Sequence, residues 1–273
     1  MPELAEVEYY RKQWDAGVGA RVTRVALHAG KRPLRAVDAK TFSDVIPGLR
    51  LLGSEARAKQ MLFWFGRAQK PQVWLGIHLG MTGRISCEAP AFAPDKHDHL
   101  VLWQRDRALV FHDPRMFGRI RFDEGASAPN WWAALPPPVT SAEFTLERLG
   151  QAASRRKKTS VKGWLLMQEY FPGIGNWMAD EILWRSRIHP KTLVGNLSAK
   201  LLACIWREAR EVCHVSLETV GVNFSDPPSD WFFHVRWNAD GICPRCGLQI
   251  ETATVGGRTT RWCGRCQRAR PPG

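Results

Sequence analysis

The chain has 273 residues and carries 39 Lys and Arg against 26 Asp and Glu, a formal net charge of +13. That length allows two or three modules with real hydrophobic cores, and the charge excess points to a polyanionic partner, most often nucleic acid. No apolar run of membrane-spanning length and no apolar block near the N-terminus is present, so neither a transmembrane helix nor a signal peptide is expected, and the expected place of action is the cytoplasm or nucleoid.

The chain opens Met1-Pro2-Glu3-Leu4-Ala5-Glu6-Val7-Glu8. A small second residue favours removal of the initiator Met, which would leave Pro2 with a free secondary amine. Such an amine attacks an electrophilic carbon directly. The α-amino reference pKa of roughly 7.7–8.0, against about 10.4 for Lys, keeps more of it neutral near pH 7. Glu3 and Glu6 place carboxylates beside it, a pairing suited to covalent catalysis with proton transfer. A plain solvated terminus is the competing reading of this stretch alone.

Residues 4–15 are expected as a short helix. From about residue 20 the texture becomes β-rich. Residues 21–27 alternate in polarity, apolar runs follow at 61–65 and 72–79, and 99–112 has the pattern of a hairpin turning at 105–107. Several short strands at this spacing predict an antiparallel sandwich. Pro136-Pro137-Pro138 then breaks the chain.

Helical periodicity follows. Ser141 is placed to N-cap a helix over 142–150, with further helices over 159–169 and 176–187. A long helix over 198–220 carries Leu202, Ile205, Ala209 and Val212 on one face and Gly221 as its stop. Between the second and third lies Pro172-Gly173-Ile174-Gly175-Asn176, where glycines allow close backbone approach and a helix N-terminus offers free amides. Asn176 is expected to cap that helix and donate to a phosphate. Arg155-Arg156-Lys157-Lys158 and Lys162 lie just upstream. An ordinary helical corner beside a solvated basic run is the alternative.

The last segment is rich in cysteine and arginine. Cys243-Pro-Arg-Cys246 and Cys263-Gly-Arg-Cys266 are separated by sixteen residues. Two such knuckles indicate one tetrahedral zinc whose four thiolates close its coordination, a structural rather than catalytic metal. So short a module needs the metal for its folding energy. Between the knuckles, 256–262 is expected as a hairpin turn presenting Arg258 and Arg261, with Arg245, Arg265, Arg268 and Arg270 adding charge for phosphate contact. Cys87, Cys204 and Cys213 fall outside these pairs and are expected as small buried apolar residues. The expected class is α+β: an N-terminal β-sandwich over 1–135, a helical domain over 136–225 and a zinc-finger hairpin over 226–273.

These motifs, in this order, resemble the formamidopyrimidine-DNA glycosylase family, the wider family that includes endonuclease VIII. The likeness rests on Pro2-Glu3-Leu4 with Glu6-Val7-Glu8, Arg57-Ala58-Lys59, His78-Leu79-Gly80-Met81-Thr82-Gly83, Lys96-His97-Asp98-His99 and Asp113-Pro114-Arg115-Met116-Phe117-Gly118. It continues through Gly173-Ile174-Gly175-Asn176 with Ala179-Asp180-Glu181, which resembles that family's helix–two-turns–helix motif, to Gly257-Arg258-Thr259 and Cys263-x-x-Cys266-Gln267.

The resemblance implies a monomeric bifunctional glycosylase and lyase acting on oxidised purines in damaged double-stranded DNA. Pro2 would attack C1′ of the damaged nucleotide, with Glu3 moving protons during sugar opening and Glu6 beside them. Lys59 would assist β-elimination, and Arg258 would hold a phosphate and assist δ-elimination. His78, His97, Arg115, Lys157 and Asn176 would contact DNA. Met81, Arg115 and Phe117 would fill the hole left by the extruded nucleotide, because a base inside a duplex hides its C1′. Taken singly, Met81 and Phe117 would be core residues and Lys59 a solvated strand lysine. His97 and His99 provide only two ligands, too few for a metal site.

The sequence departs from the family pattern at Ala5, at Met116 where a basic residue is common, at Gly163 where proline is usual, and across 223–238. That last stretch is expected to be short and carries Trp231, Phe232 and Phe233. An endonuclease VIII-like preference for oxidised pyrimidines and a noncatalytic DNA-binding paralogue therefore stand beside the purine reading. Pro2 and Glu3 separate the last, since a binding module needs neither.

Overall fold

The computed structural model describes residues 1–269 and divides into two compact units: Met1–Pro2 with Glu6–Leu135, and Glu3–Ala5 with the chain from Pro136 onward. The first helix, α1 (Leu4–Lys12), ends three residues short of the expected limit and is followed by a 3-10 turn at Asp15–Gly17.

The first unit is an antiparallel sandwich. Its strands are β1 (Arg24–Leu27), β2 (Arg50–Arg57), β3 (Gln60–Arg67), β4 (Lys70–His78), β5 (Arg84–Glu88), β6 (Asp98–Trp103), β7 (Ala108–His112) and β8 (Arg119–Glu124). They form two four-stranded sheets, ordered β1-β6-β7-β5 and β2-β3-β4-β8. Alternation sends Met61, Phe63 and Phe65 of β3 to one face, where they join Val73, Leu75 and Ile77 of β4 with Leu100, Leu102, Leu109 and Phe111 of the other sheet in one core. Leu62 points the other way and packs with Trp74 and Trp132 under the short helix over residues 130–133. Cys87 is exposed, contrary to expectation, because it lies near the end of β5, an edge strand.

Ladder register sets where the loops fall. Met61 pairs with Ile77, Ile77 with Ile120, and His78 with Arg119. The β2–β3 turn holding Lys59, the end of β4 and the start of β8 therefore share one end of a sheet. Loop 79–83, leaving β4, and loop 113–118, entering β8, emerge there together.

The second unit is helical with a zinc-module hairpin. Leu146–Ser154 forms a helix that Thr145, not Ser141, caps, accepting from the Arg148 N–H at 3.2 Å. The helix expected over 159–169 is only Val161–Leu165, with Ser160 Oγ accepting from Gly163 N. Asn176–Arg185 follows, then Ala199–Glu218 capped by Ser198. Gly221 does not stop that helix. The break is at Thr219 (φ −105°, ψ −84°), and Gly221 lies inside a further turn, Val220–Asn223, closed by left-handed Phe224 (φ 63°). The hairpin strands are Glu251–Val255 and Arg258–Trp262. Leu149, Trp164, Phe171, Ile174, Met178, Ile182, Ile205, Ala209 and Val212 form the core. Trp231 and Phe232 of the 223–238 stretch are buried as well. No helix among the described residues is long and apolar enough to cross a membrane.

Candidate nucleic-acid interface and catalytic groups

Glu3 is buried at the N-terminus of the helix Asn176–Arg185. One carboxylate oxygen accepts from Gly175 N (2.9 Å) and Met178 N (3.2 Å), the other from Trp177 N (2.9 Å). Three amides that a helix start leaves unpaired thus converge on one acid, where the positive end of the helix dipole favours negative charge. Leu4 N donates to Gly173 O at 3.0 Å, fixing the main chain beside it. The glycine turn is therefore a seat for Glu3. Pro2, which precedes Glu3 in the chain, and Glu6 are half-buried.

Asn176 is not the cap. It is the first helical residue, its side chain donates to Thr259 O at 2.8 Å, and the cap position falls to Gly175. Asn176 thereby meets the strand that starts with the exposed Arg258. Lys157 is exposed, with its carbonyl accepting from Gly195 N. Lys162 is not part of a phosphate-facing run. It is fully buried, and its Nζ donates to Asp180 Oδ1 (2.6 Å) and Asn176 O (2.7 Å). Burial pushes its ammonium pKa down, opposed by Asp180. Asp180 Oδ2 accepts from Arg236 Nη2 (2.6 Å), and Arg261 N also approaches it (3.4 Å). This network joins two helices to the zinc-module hairpin. The charge run hid its role in the sequence, since a buried lysine and a solvated one are the same letter.

In the first unit, Lys59 is buried in the two-residue β2–β3 turn after left-handed Ala58 (φ 58°), not solvated. His78 is held neutral. Its pKa is pushed down to about 4, first by burial and then by Lys59, Arg119 and Arg121. Its Nδ1 accepts from Gly80 N at 3.0 Å, which leaves Nε2–H as a donor. His97 is half-buried, edge-on to His112, with its carbonyl accepting from Asp113 N. His99 is a core residue whose Nε2 bonds to Asp113 O at 2.9 Å.

Asp113, which sequence reasoning left without a role, ties the two loops together. Fully buried, it accepts from Gly118 N (2.6 Å) and Thr82 Oγ1 (3.3 Å). Gly80 (φ +67°) sits so close that a Cβ there would overlap the Phe117 main chain. The pair presents Met81, half-buried, and Arg115 and Phe117, both exposed, with the Arg115 guanidinium 5.1 Å from the Phe117 ring centroid. An exposed aromatic beside a guanidinium, on a loop packed against the one that carries Met81, makes an apolar wedge with a hydrogen-bonding partner.

Cys243, Cys246, Cys263 and Cys266 bring their sulfurs within 4.8 Å of one another. Zinc–sulfur bonds of about 2.3 Å in a tetrahedron need sulfurs roughly 3.8 Å apart, and the Cys246–Cys263 and Cys243–Cys266 distances are 3.4 and 4.0 Å. The donor set fits one structural zinc. Trp184 Nε1 donates to Cys243 Sγ (3.4 Å), and Gln267 links Cys263 N to Ile188 O. Such outer contacts orient the ligands. Arg270 lies outside the described residues.

Three family models match the chain: the formamidopyrimidine-DNA glycosylase N-terminal domain over residues 1–120, the H2TH domain of the same enzymes over 135–226, and the zinc finger found in FPG and IleRS over 243–269. Formamidopyrimidine-DNA glycosylases of a Roseiflexus species and of Pectobacterium carotovorum are 34% and 32% identical, each over 98% of this chain and 100% of the relative. Among solved structures, a Lactococcus lactis Fpg in complex with DNA containing N7-benzyl-Fapy-dG superposes with a TM-score of 0.87 at 24% identity, covering 98% of this chain and 100% of that one.

Proposed function

The chain belongs to the formamidopyrimidine-DNA glycosylase family, and from that premise we propose that it excises oxidised purines, 8-oxoguanine and formamidopyrimidines, from duplex DNA and then cleaves the strand. The observation that carries this reading is the Glu3 carboxylate, seated by three amides in the residue next to Pro2. A cap alone needs only a side-chain oxygen, whereas an acid fixed in the residue next to a secondary amine also suits proton transfer.

In this reading the extruded nucleotide offers C1′ to the Pro2 amine. The C1′–N bond breaks as the amine–C1′ bond forms, the base takes a proton from solvent as it leaves, and the Glu3 carboxylate accepts the proton lost by the amine and passes it to the ring oxygen as the sugar opens to an iminium ion. Loss of a C2′ proton expels the 3′ phosphate, and a second elimination expels the 5′ phosphate. Lys59 serves the first elimination and Arg258 the second, and Glu6 adds negative charge near the amine. Met81, Arg115 and Phe117 occupy the vacated stack, while His78, His97, Lys157 and Asn176 contact the backbone. The protein works as a monomer, at the nucleoid, with segments 1–135, 136–225 and 226–273 carrying the chemistry, the duplex grip and the zinc-held hairpin. All of it requires Met1 to be removed, because an acylated Pro2 nitrogen is not a nucleophile.

Borohydride reduction in the presence of duplexes carrying 8-oxoguanine opposite cytosine, an abasic site or an oxidised pyrimidine tests the proposal. A trapped covalent complex with the first two is expected. No trapping on either sinks the covalent mechanism, and trapping of the pyrimidine lesion alone moves the specificity to the sister branch.

A further inference from the structure

Phe117 is held by two arginines, not one. The 3-10 turn Arg32–Leu34 packs beside β8, with Pro33 and Leu34 buried and Arg32 exposed. The Arg32 guanidinium carbon lies 5.1 Å from the Phe117 ring centroid, the same distance as that of Arg115. The ring is 41% exposed. Each cation–π contact at so exposed a site is weak, and two cations converging on one ring repel each other. Among the described residues the ion pairs involve other arginines, and no carboxylate joins either of these two. Both guanidiniums are therefore open to an anion from outside. Arg115 adjoins Met116, an exposed apolar residue in a left-handed backbone (φ 54°), so its own loop offers no second cation.

We infer that Arg32 is a phosphate-contacting residue of the DNA interface, paired with Arg115 through Phe117 and supplying the charge that Met116 lacks. The inference rests on the duplex-binding reading above. If Phe117 enters the base stack, the two guanidiniums beside its ring are carried to the duplex with it. Arg115 answers the orphaned base, and Arg32 is left for a phosphate.

The test is the salt dependence of binding to a duplex carrying a tetrahydrofuran abasic analogue, for the unmodified protein, R32A, R32K and the double variant R32A/M116R. Arg32→Ala is expected to weaken binding about fivefold to tenfold near 0.1 M salt and to make the log–log salt slope shallower by about 1. R32K keeps the slope, and Met116→Arg restores it in the R32A background. An R32A slope equal to that of the unmodified protein overturns the assignment. So does weakened binding that neither R32K nor M116R repairs, which marks a packing role. Absence of salt-dependent duplex binding by the unmodified protein overturns the underlying reading and this assignment with it.

Discussion

Gly175 and Glu3 compete for the same space: a Cβ on Gly175 would overlap the Glu3 carboxylate carbon. The backbone at Gly175 is ordinary extended chain (φ −121°, ψ −152°) that any residue adopts. Glycine is needed there for room and not for conformation. The glycine turn and the N-terminal acid are thus two halves of one device.

Gly175→Ala should therefore act on both chemistry and stability. Single-turnover base release is expected to fall about 100-fold or more, the scale of a displaced acid–base group, and loss of the cap should lower the melting temperature by several degrees, roughly. An unchanged rate would mean that the carboxylate does not need this seat.

Asp180 holds two buried cations, Lys162 and Arg236. Asp180→Asn leaves both without their counter-charge and should cost about 3–5 kcal/mol, read by urea unfolding. Lys162→Met should cost less, since Asp180 keeps Arg236. Equal losses would show that the three do not act as one network.

Glu181 is buried, accepts from Phe233 N at 2.9 Å, and has its pKa pushed up to about 8, first by burial. The Phe233 hydrogen bond and Arg185 pull it back, and Asp230 adds to the rise. A carboxyl whose folded value exceeds its unfolded one binds its proton more tightly when folded. Its contribution to stability is whole below about pH 4.5 and is lost as pH rises toward 8. Glu181→Gln keeps an acceptor for Phe233 without the charge. Its melting temperature should match the unmodified protein near pH 5 and exceed it by several degrees, roughly, at pH 9. Parallel pH curves for the two proteins would refute this.

What the sequence disclosed was whatever depends on spacing and chemical type. The four zinc cysteines were legible because two knuckles at fixed separation have few other uses. The sandwich was legible because β3 and β7 alternate or run apolar between turn residues. Burial of charge was not. Lys162 sits at the end of a basic run and reads as surface, while its partner Asp180 is eighteen positions away. Ser141 and Thr145 are equally good caps by type, and only tertiary packing decides where the helix starts. Gly221 has the right residue type for a helix stop, but the backbone breaks two positions earlier, at Thr219. Arg32 was invisible as a partner of Phe117, because nothing in the chain signals a contact between segments so far apart.

The interlocking of loops 79–83 and 113–118 also limits how this protein can change. Gly80 has no room for a side chain against Phe117, and Gly118 has Phe111 Cζ at 2.7 Å and Asp113 Oδ2 at 2.9 Å from where a Cβ would sit. Asp113 is committed to both loops at once. Variation is steered away from these framework positions toward the tips, at residues 81 and 115–117. The shape of the wedge can be retuned one residue at a time, while the hinge that aims it is mutationally closed.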